Sequence, residues 1–113
     1  VMDQIFGKAT ADFLYQSETR TAPLRTLSSF IREQEITSVD YLKIDVEGGE
    51  MSVLNGIEEM HWSMIRQIAV EAHTSQLRDQ VSETLAQHGF EVITDLGVSS
   101  PMGVSLVYGK QRR

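Results

Sequence analysis

The sequence predicts an α/β fold, an open sheet with helices on its faces. Short segments with alternating apolar and polar residues indicate strands, and between them apolar residues recur at helical spacing. The predicted order is helix, strand, helix, strand, helix, strand, strand, which favours parallel strands joined by right-handed crossovers. The last two strands, separated only by the turn-rich residues 95–103, are expected to pair as an antiparallel hairpin.

The N-terminal residues 1–25 are poorly patterned, apart from a short strand predicted at residues 13–15. The α/β core is predicted to occupy residues 26–113. Thr26 can cap a first helix that fades at residues 34–35. The apolar residues of this helix fall on one face at helical spacing; they are Leu27, Phe30 and Ile31.

The first predicted strand covers residues 41–46 and alternates between two faces. Leu42, Ile44 and Val46 point one way. The opposite face carries Tyr41, Lys43 and Asp45. After two glycines, a second helix is predicted to stop near residues 55–56; its apolar residues are Met51, Val53, Leu54 and Ile57.

A second strand is predicted at residues 65–71 and is followed by a longer helix. Thr74 or Ser75 can cap this helix, and Gly89 lies where a C-terminal glycine is expected. The third and fourth strands are predicted at residues 90–94 and 104–108. The apolar face of the helix is formed by residues at i, i+4, i+8 spacing, which are Leu77, Val81 and Leu85.

Length and composition narrow the class of protein. A chain of 113 residues suits one small domain. The net charge of −6 argues against nucleic acid as a partner, because phosphate binding requires a basic surface. The chain has no cysteine, which excludes disulfides, thiolate metal sites and a cysteine nucleophile.

The cellular location of the protein is predicted from the signals that its sequence lacks. The sequence has no apolar run near the ~20 residues of a membrane span and no secretory signal, so we expect a cytoplasmic protein without a membrane partner. The chain starts at Val1 rather than at a methionine, and we expect it to be a piece of a longer polypeptide.

Polar residues follow the first two predicted strands. Residues 43–50 read KIDVEGGE, and the second strand ends in Glu71-Ala72-His73. In open α/β sheets, ligands bind beyond the carboxyl ends of the strands, so neighbouring strands would bring these side chains together. Carboxylates there can accept hydrogen bonds or hold a hard cation. His73 can act as a general base, oriented by Glu71 or Asp45.

Several of these residues also have structural interpretations. Glu50 is interpreted as a first-turn acid that interacts with the helix dipole. Glu47 can be a solvated turn residue, and Lys43 can simply pair with Asp45. The other two histidines, at positions 61 and 88, have the pattern of surface or helix-end residues. Neither an EF-hand, nor a GxGxxG motif, nor a P-loop is matched.

The motif residues resemble a known family, the FkbM-type methyltransferases. The resemblance rests on TLSSFI at residues 26–31, VDYLKIDVEGGE at 39–50 and VLNG at 53–56, and it covers about residues 21–109. Gly49 stands where that family usually has alanine. Ser28 and Ser29 stand where acids are usual.

The resemblance implies a Rossmann-like class I methyltransferase that uses S-adenosylmethionine to methylate hydroxyls of secondary metabolites or sugars. The glycine-rich loop and the acid that hold most of the cofactor in this fold are not in the sequence. The chain would therefore be the C-terminal half of the domain, two parallel strands with helices followed by the antiparallel hairpin. Alone, it is expected to be inactive and to bind the cofactor poorly.

The implied catalytic residues are His73 as base, with Asp45 and Glu71 orienting it or the acceptor. The residues implied to lie next to the substrate or cofactor are Lys43, Glu47 and Gly48. A divalent metal held by Asp45 and Glu71 is left open. Two other functions also stay open: a metal-dependent α/β enzyme that uses Asp45, and a non-catalytic remnant or scaffold half. The 41–46 strand would be an open edge, which favours a homodimer.

Overall fold

A computed structural model describes Thr19 and residues 21–95 and 104–112. Within these residues it contains four helices and four strands. The helices are α1 (Leu27–Glu33), α2 (Glu50–Asn55), α3 (Glu59–Trp62) and α4 (Ser75–Gln87). The strands are β1 (Val39–Ile44), β2 (Ile65–Ala72), β3 (Phe90–Asp95) and β4 (Ser105–Gln111).

The four strands form one sheet in the order β1-β2-β4-β3. β1 and β2 are parallel, with Ile44 opposite Val70. β4 lies between β2 and β3 and is antiparallel to both. The predicted pair of parallel strands and the terminal antiparallel hairpin are therefore confirmed, and the architecture is compatible with part of a methyltransferase fold.

The hydrophobic core lies between the sheet and the helices packed on it. Val81 and Leu85 of α4 are fully buried, as their helical spacing predicts. Together with partners on the sheet and on α2, they form one cluster; its strand members include Ile44, Ile65, Ile68, Val70, Phe90 and Val107. Burial of this apolar surface is the main stabilising term for a domain of this size.

The predicted helix caps are present. The Thr26 hydroxyl accepts a hydrogen bond from the backbone N–H of Ser29 at 3.0 Å. The Thr74 hydroxyl does the same for Leu77 at 3.0 Å. Gly89, which follows α4, has a φ of +90°, a conformation that L side chains rarely adopt. Each cap supplies a partner for a backbone group that the helix itself leaves unpaired.

Some predicted boundaries were wrong. β1 covers 39–44 rather than 41–46, so Asp45 and Val46 follow the strand, and β4 runs three residues beyond the predicted end. The short helix α3 was not predicted, because four residues are too few for a helical pattern to show. The strand expected at 13–15 lies outside the described residues, as do residues 96–103.

The histidine at position 61, interpreted as a surface or helix-end residue, lies in the last turn of α3 as the second alternative has it, but it is buried rather than exposed. His61 is only 5% exposed, and its Nδ1 lies 2.6 Å from the Oγ of Ser28. The same Oγ accepts a hydrogen bond from the backbone N–H of Glu58. This buried contact joins α1 to α3, so the histidine is a satisfied core residue.

The part of the chain that the structure describes has no helix long and apolar enough to cross a membrane.

Candidate functional site

The parallel pairing of β1 and β2 brings their carboxyl ends to one edge of the sheet. Asp45 directly follows β1, Glu71 is near the end of β2 and His73 directly follows it. One potential ligand atom from each of these three side chains lies within 4.8 Å of the other two. All three residues are partly buried. The structure thus brings together the three residues that were predicted to be catalytic.

A tight turn connects β1 to α2. The backbone N–H of Gly49 donates to the carbonyl of Val46 at 3.1 Å. Within the turn, Glu47 has a φ of +34° and Gly48 a φ of +99°. The second value is one that glycine adopts readily and that other residues rarely adopt. Gly48 therefore contributes the backbone conformation that starts α2 immediately after the Asp45 site.

Glu50, the first residue of α2, completes the site from within the protein. Its side chain is fully buried, and its Oε1 lies 3.0 Å from Nδ1 of His73. The other carboxylate oxygen, Oε2, is buried without a hydrogen-bond partner among the described residues. The ring of His73 is thus bound by Glu50, and not by Glu71 or Asp45 as the sequence had suggested.

The charges in the site change the pKa of His73. The hydrogen bond to Glu50 raises its pKa above the ordinary value of 6.5, and the negative charges of Glu50, Glu71 and Glu47 add to this effect. Partial burial opposes it, because desolvation disfavours the imidazolium. The protonated ring is therefore stabilised, and more alkaline conditions are needed to make it a base.

Glu71 shows the effect of a neighbouring carboxylate. Burial raises its pKa above the ordinary value of 4.5, and the hydrogen bond to Asp45 and the charge of Asp45 raise it further. His73 and Lys43 partly oppose this by attracting the ionised form. Two carboxylates at this distance repel each other unless a proton or a cation lies between them. The pair is therefore suited to take up positive charge.

Glu50 has a second role besides the one that its place in the sequence predicts. It is a first-turn residue of α2, as predicted, yet it also contacts the candidate base. The signal was its spacing, because Glu50 precedes the core residue Leu54 by one helical turn and so lies on the buried face. A carboxylate on that face needs an internal partner. Lys43 and Glu47 affect the cluster through their charges.

The comparison with known sequences identifies the family. The sequence profile described as Methyltransferase FkbM domain matches residues 2–92, which is most of the chain. The chain belongs to the FkbM methyltransferase family. The resemblance seen in the motifs is thereby confirmed.

Three curated relatives illustrate this FkbM family membership. Methyltransferase sdnD of Sordaria araneosa is 32% identical to this chain over an alignment of 116 residues. The alignment covers 94% of this chain and 45% of that protein. The 31-O-demethyl-FK506 methyltransferase FkbM of Streptomyces tacrolimicus is 39% identical over 79 residues, 69% of this chain and 30% of that protein. The AMB antimetabolite synthetase AmbE of Pseudomonas aeruginosa is 37% identical over 83 residues, 68% of this chain and 4% of that protein.

This FkbM-family chain spans less than half of the length of each of these relatives. No solved structure shows significant similarity to it.

Proposed function

We propose that the chain is the acceptor-binding half of an S-adenosylmethionine-dependent methyltransferase, which transfers a methyl group to a hydroxyl of a secondary metabolite or a sugar. The observation that carries this proposal is the cluster at the ends of β1 and β2. There, His73 is hydrogen-bonded to the buried Glu50 and lies beside Asp45 and Glu71. This arrangement provides a candidate base next to two hydroxyl-binding carboxylates.

The relatives and a cavity support the acceptor class. One relative is named for methylation at an oxygen of FK506, and another is named as an antimetabolite synthetase. The 46–49 turn also borders a cavity of about 410 Å³. Its wall is largely apolar, with Leu27, Val46 and Val53 among its residues. An apolar wall beside the turn suits the carbon skeleton of a metabolite better than a highly hydrated acceptor.

The proposed chemistry gives each polar residue of the cluster a role. Nδ1 of His73 is occupied by Glu50, so Nε2 is the nitrogen that takes the proton of the acceptor hydroxyl. Asp45 and Glu71 hold the acceptor by accepting hydrogen bonds from its other hydroxyl groups, and the charge of Glu71 stabilises the imidazolium that forms when His73 takes the proton. The bound cofactor would supply an electrophilic methyl group on a sulfonium, so the protein has mainly to position the acceptor and remove its proton.

The residues of this chain suit the sulfonium of S-adenosylmethionine but not its nucleoside. The carboxylates of the site complement the positive charge of a sulfonium. The glycine-rich loop and the acid that would hold the nucleoside, as the family resemblance implies, are not found in this sequence. We therefore propose that the isolated chain is inactive and binds S-adenosylmethionine weakly. Calorimetry that showed micromolar affinity for the isolated chain would contradict this point.

The test of the function uses a longer polypeptide that supplies the rest of the domain. His73→Ala and Asp45→Asn should each lower the rate of methyl transfer by about 10²–10⁴-fold, the usual contribution of general acid–base catalysis. Glu59→Gln is the matched control, because the Glu59 side chain is 87% exposed and contacts His88 rather than the cluster. Wild-type rates in both site variants would refute the assignment. If the rest of the longer polypeptide has no glycine-rich cofactor loop, the chain is better explained as a non-catalytic remnant or scaffold half.

A divalent cation at the same cluster is a second candidate for activating the hydroxyl. Two carboxylates and one imidazole within 4.8 Å of one another can ligate such an ion; they are Asp45, Glu71 and His73. In that case the cation, rather than His73, would acidify the acceptor. Methyl transfer that is lost in EDTA and restored by Mg²⁺ or Mn²⁺ would favour the cation. Activity unchanged by EDTA would favour His73 as the base.

A further inference from the structure

We infer that Glu50 is a positioning residue that fixes the tautomer of His73, with the proton on Nδ1 and the lone pair on Nε2. The position of the proton on the ring follows from the 3.0 Å contact between Oε1 of Glu50 and Nδ1 of His73. The use of Nε2 toward an acceptor rests on the proposed function. The tautomer itself can be measured without any activity.

Burial separates the roles of the two residues. The His73 side chain is 26% exposed, so an acceptor can reach it, whereas Glu50 is 0% exposed. A fully buried carboxylate cannot contact an acceptor that stays outside the protein surface. Any effect of Glu50 on the reaction must therefore act through its neighbour His73.

The chemistry of the contact determines where the proton lies. A carboxylate only accepts hydrogen bonds, and neutral imidazole has one N–H and one lone pair. The 3.0 Å contact is therefore satisfied only when Nδ1 of His73 carries the proton, which leaves the lone pair on Nε2. The second oxygen, Oε2, has no partner among the described residues, so His73 is the group that compensates the buried carboxylate.

The backbone around Glu50 holds the carboxylate in place. Glu50 starts α2 directly after the 46–49 turn, and α2 is anchored in the core by Leu54, which is 1% exposed. His73 is held between the end of β2 and Thr74, the N-cap of α4. The contact thus joins two rigid elements, and the ring is oriented by the core rather than by solvent.

The test is ¹⁵N NMR of the chain labelled at histidine, in which the chemical shifts of the two ring nitrogens report the tautomer. His73→Asn assigns the His73 signals among the three histidines. Measurements at a pH above the titration of the ring should show the Nδ1–H form in the wild type. Glu50→Gln places an NH2 donor as well as an acceptor oxygen beside Nδ1, so it no longer requires the proton on Nδ1 and should give a mixture of the two tautomers.

Glu50→Met has a similar length but accepts no such hydrogen bond, so it should shift the ring toward the other tautomer. Glu47→Gln is the matched control, because Glu47 acts on His73 only through its charge in the structure described here. It should leave the tautomer unchanged. The same tautomer in wild type and Glu50→Met, or a wild type without the Nδ1–H form, would overturn the inference. The wild-type tautomer is decisive by itself, so the inference stays testable if Glu50→Met does not fold.

A kinetic measurement on the longer polypeptide separates this inference from the proposed function. Loss of ring orientation in Glu50→Met should lower kcat about 10²-fold, the scale of a misplaced catalytic group, with little change in KM. Glu50→Gln should move the acidic limb of the pH–rate profile to lower pH. If His73→Ala retains full activity, the proposed function fails, but the NMR result on the tautomer still stands.

Discussion

The rings of Trp62 and His88 are stacked, with their centroids 4.0 Å apart and their planes 8° from parallel. Trp62 ends α3, and His88 is the C-cap of α4. Trp62 is 3% exposed and also meets Phe90 edge to face. The stack therefore holds together two helices that lie on either side of β2 in the sequence.

Removing the ring of His88 should destabilise the protein. His88→Ala is expected to lower the free energy of unfolding. Loss of the aromatic pair should cost about 0.5–1.5 kcal/mol, in addition to the stability lost because less apolar surface is buried. Urea unfolding followed by tryptophan fluorescence measures this, since Trp62 is the single tryptophan of the chain. His88→Phe keeps a flat ring and should lose less. Equal stability of His88→Ala and wild type would show that the stack contributes nothing.

A methyl group at Gly109 should not fit. A Cβ there would lie 2.9 Å from Cγ2 of Ile68 and 3.1 Å from the ring of Phe90, both of which are buried. Overpacking of this kind costs about 1–3 kcal/mol, so Gly109→Ala should lower the midpoint of thermal unfolding. Gly49→Ala is the control, because its Cβ would make ordinary contacts with Val46 at 3.4 Å. If Gly49→Ala were as unstable as Gly109→Ala, crowding around residue 109 would not explain the loss of stability.

Stability should depend on pH through Glu71 and His73. The pKa of Glu71 is raised above 4.5, so the folded chain loses stability as the pH rises through that raised pKa and the carboxylate ionises beside Asp45. The pKa of His73 is raised above 6.5, so its contribution is present below that pH and is also lost as the pH rises.

Glu71→Gln removes the first of these effects. It should raise the midpoint of thermal unfolding at pH 8 relative to wild type and change it little at pH 4. The measurement is made in EDTA, so that no cation bridges the two carboxylates. Glu83→Gln, an exposed change on α4, serves as the control. A Glu71→Gln variant that was less stable than wild type at pH 8 would contradict the proposed repulsion.

The β1 edge should pair with a second copy of the chain. Among the described residues β1 pairs with β2 alone, and Tyr41 on it is 54% exposed. An unpaired strand edge offers backbone groups to another strand. We therefore expect a dimer in sedimentation measurements at high concentration. Tyr41→Lys should shift it to monomer, whereas Tyr108→Lys, on the interior strand β4, should not. A wild-type monomer under the same conditions would contradict this expectation.

Most of the fold could be predicted from the sequence because its signals are local. Helical spacing, alternation and cap residues depend on neighbours in the chain, and they located three of the four described helices and all four strands. The site at the ends of β1 and β2 was predictable for a related reason. Parallel strands bring their carboxyl ends together, so Asp45 and His73 had to approach once β1 and β2 were neighbours.

The missed features depend on contacts between residues distant in sequence. Glu50 and His73 are 23 residues apart, and Ser28 and His61 are 33 apart. In each pair, a polar residue is buried because a particular partner exists elsewhere in the fold. No local pattern specifies the partner, which is why neither the burial of His61 nor the contact of Glu50 with His73 was predicted.

The strand order has a consequence for how the protein is made. β4 leaves the ribosome after β2 and β3, yet it lies between them in the sheet. Until residues 105–111 have been synthesised, neither β2 nor β3 has β4 beside it. From residue 72 until residue 111 is made, the inner edge of β2 therefore lacks β4, a state in which association with other chains competes with folding.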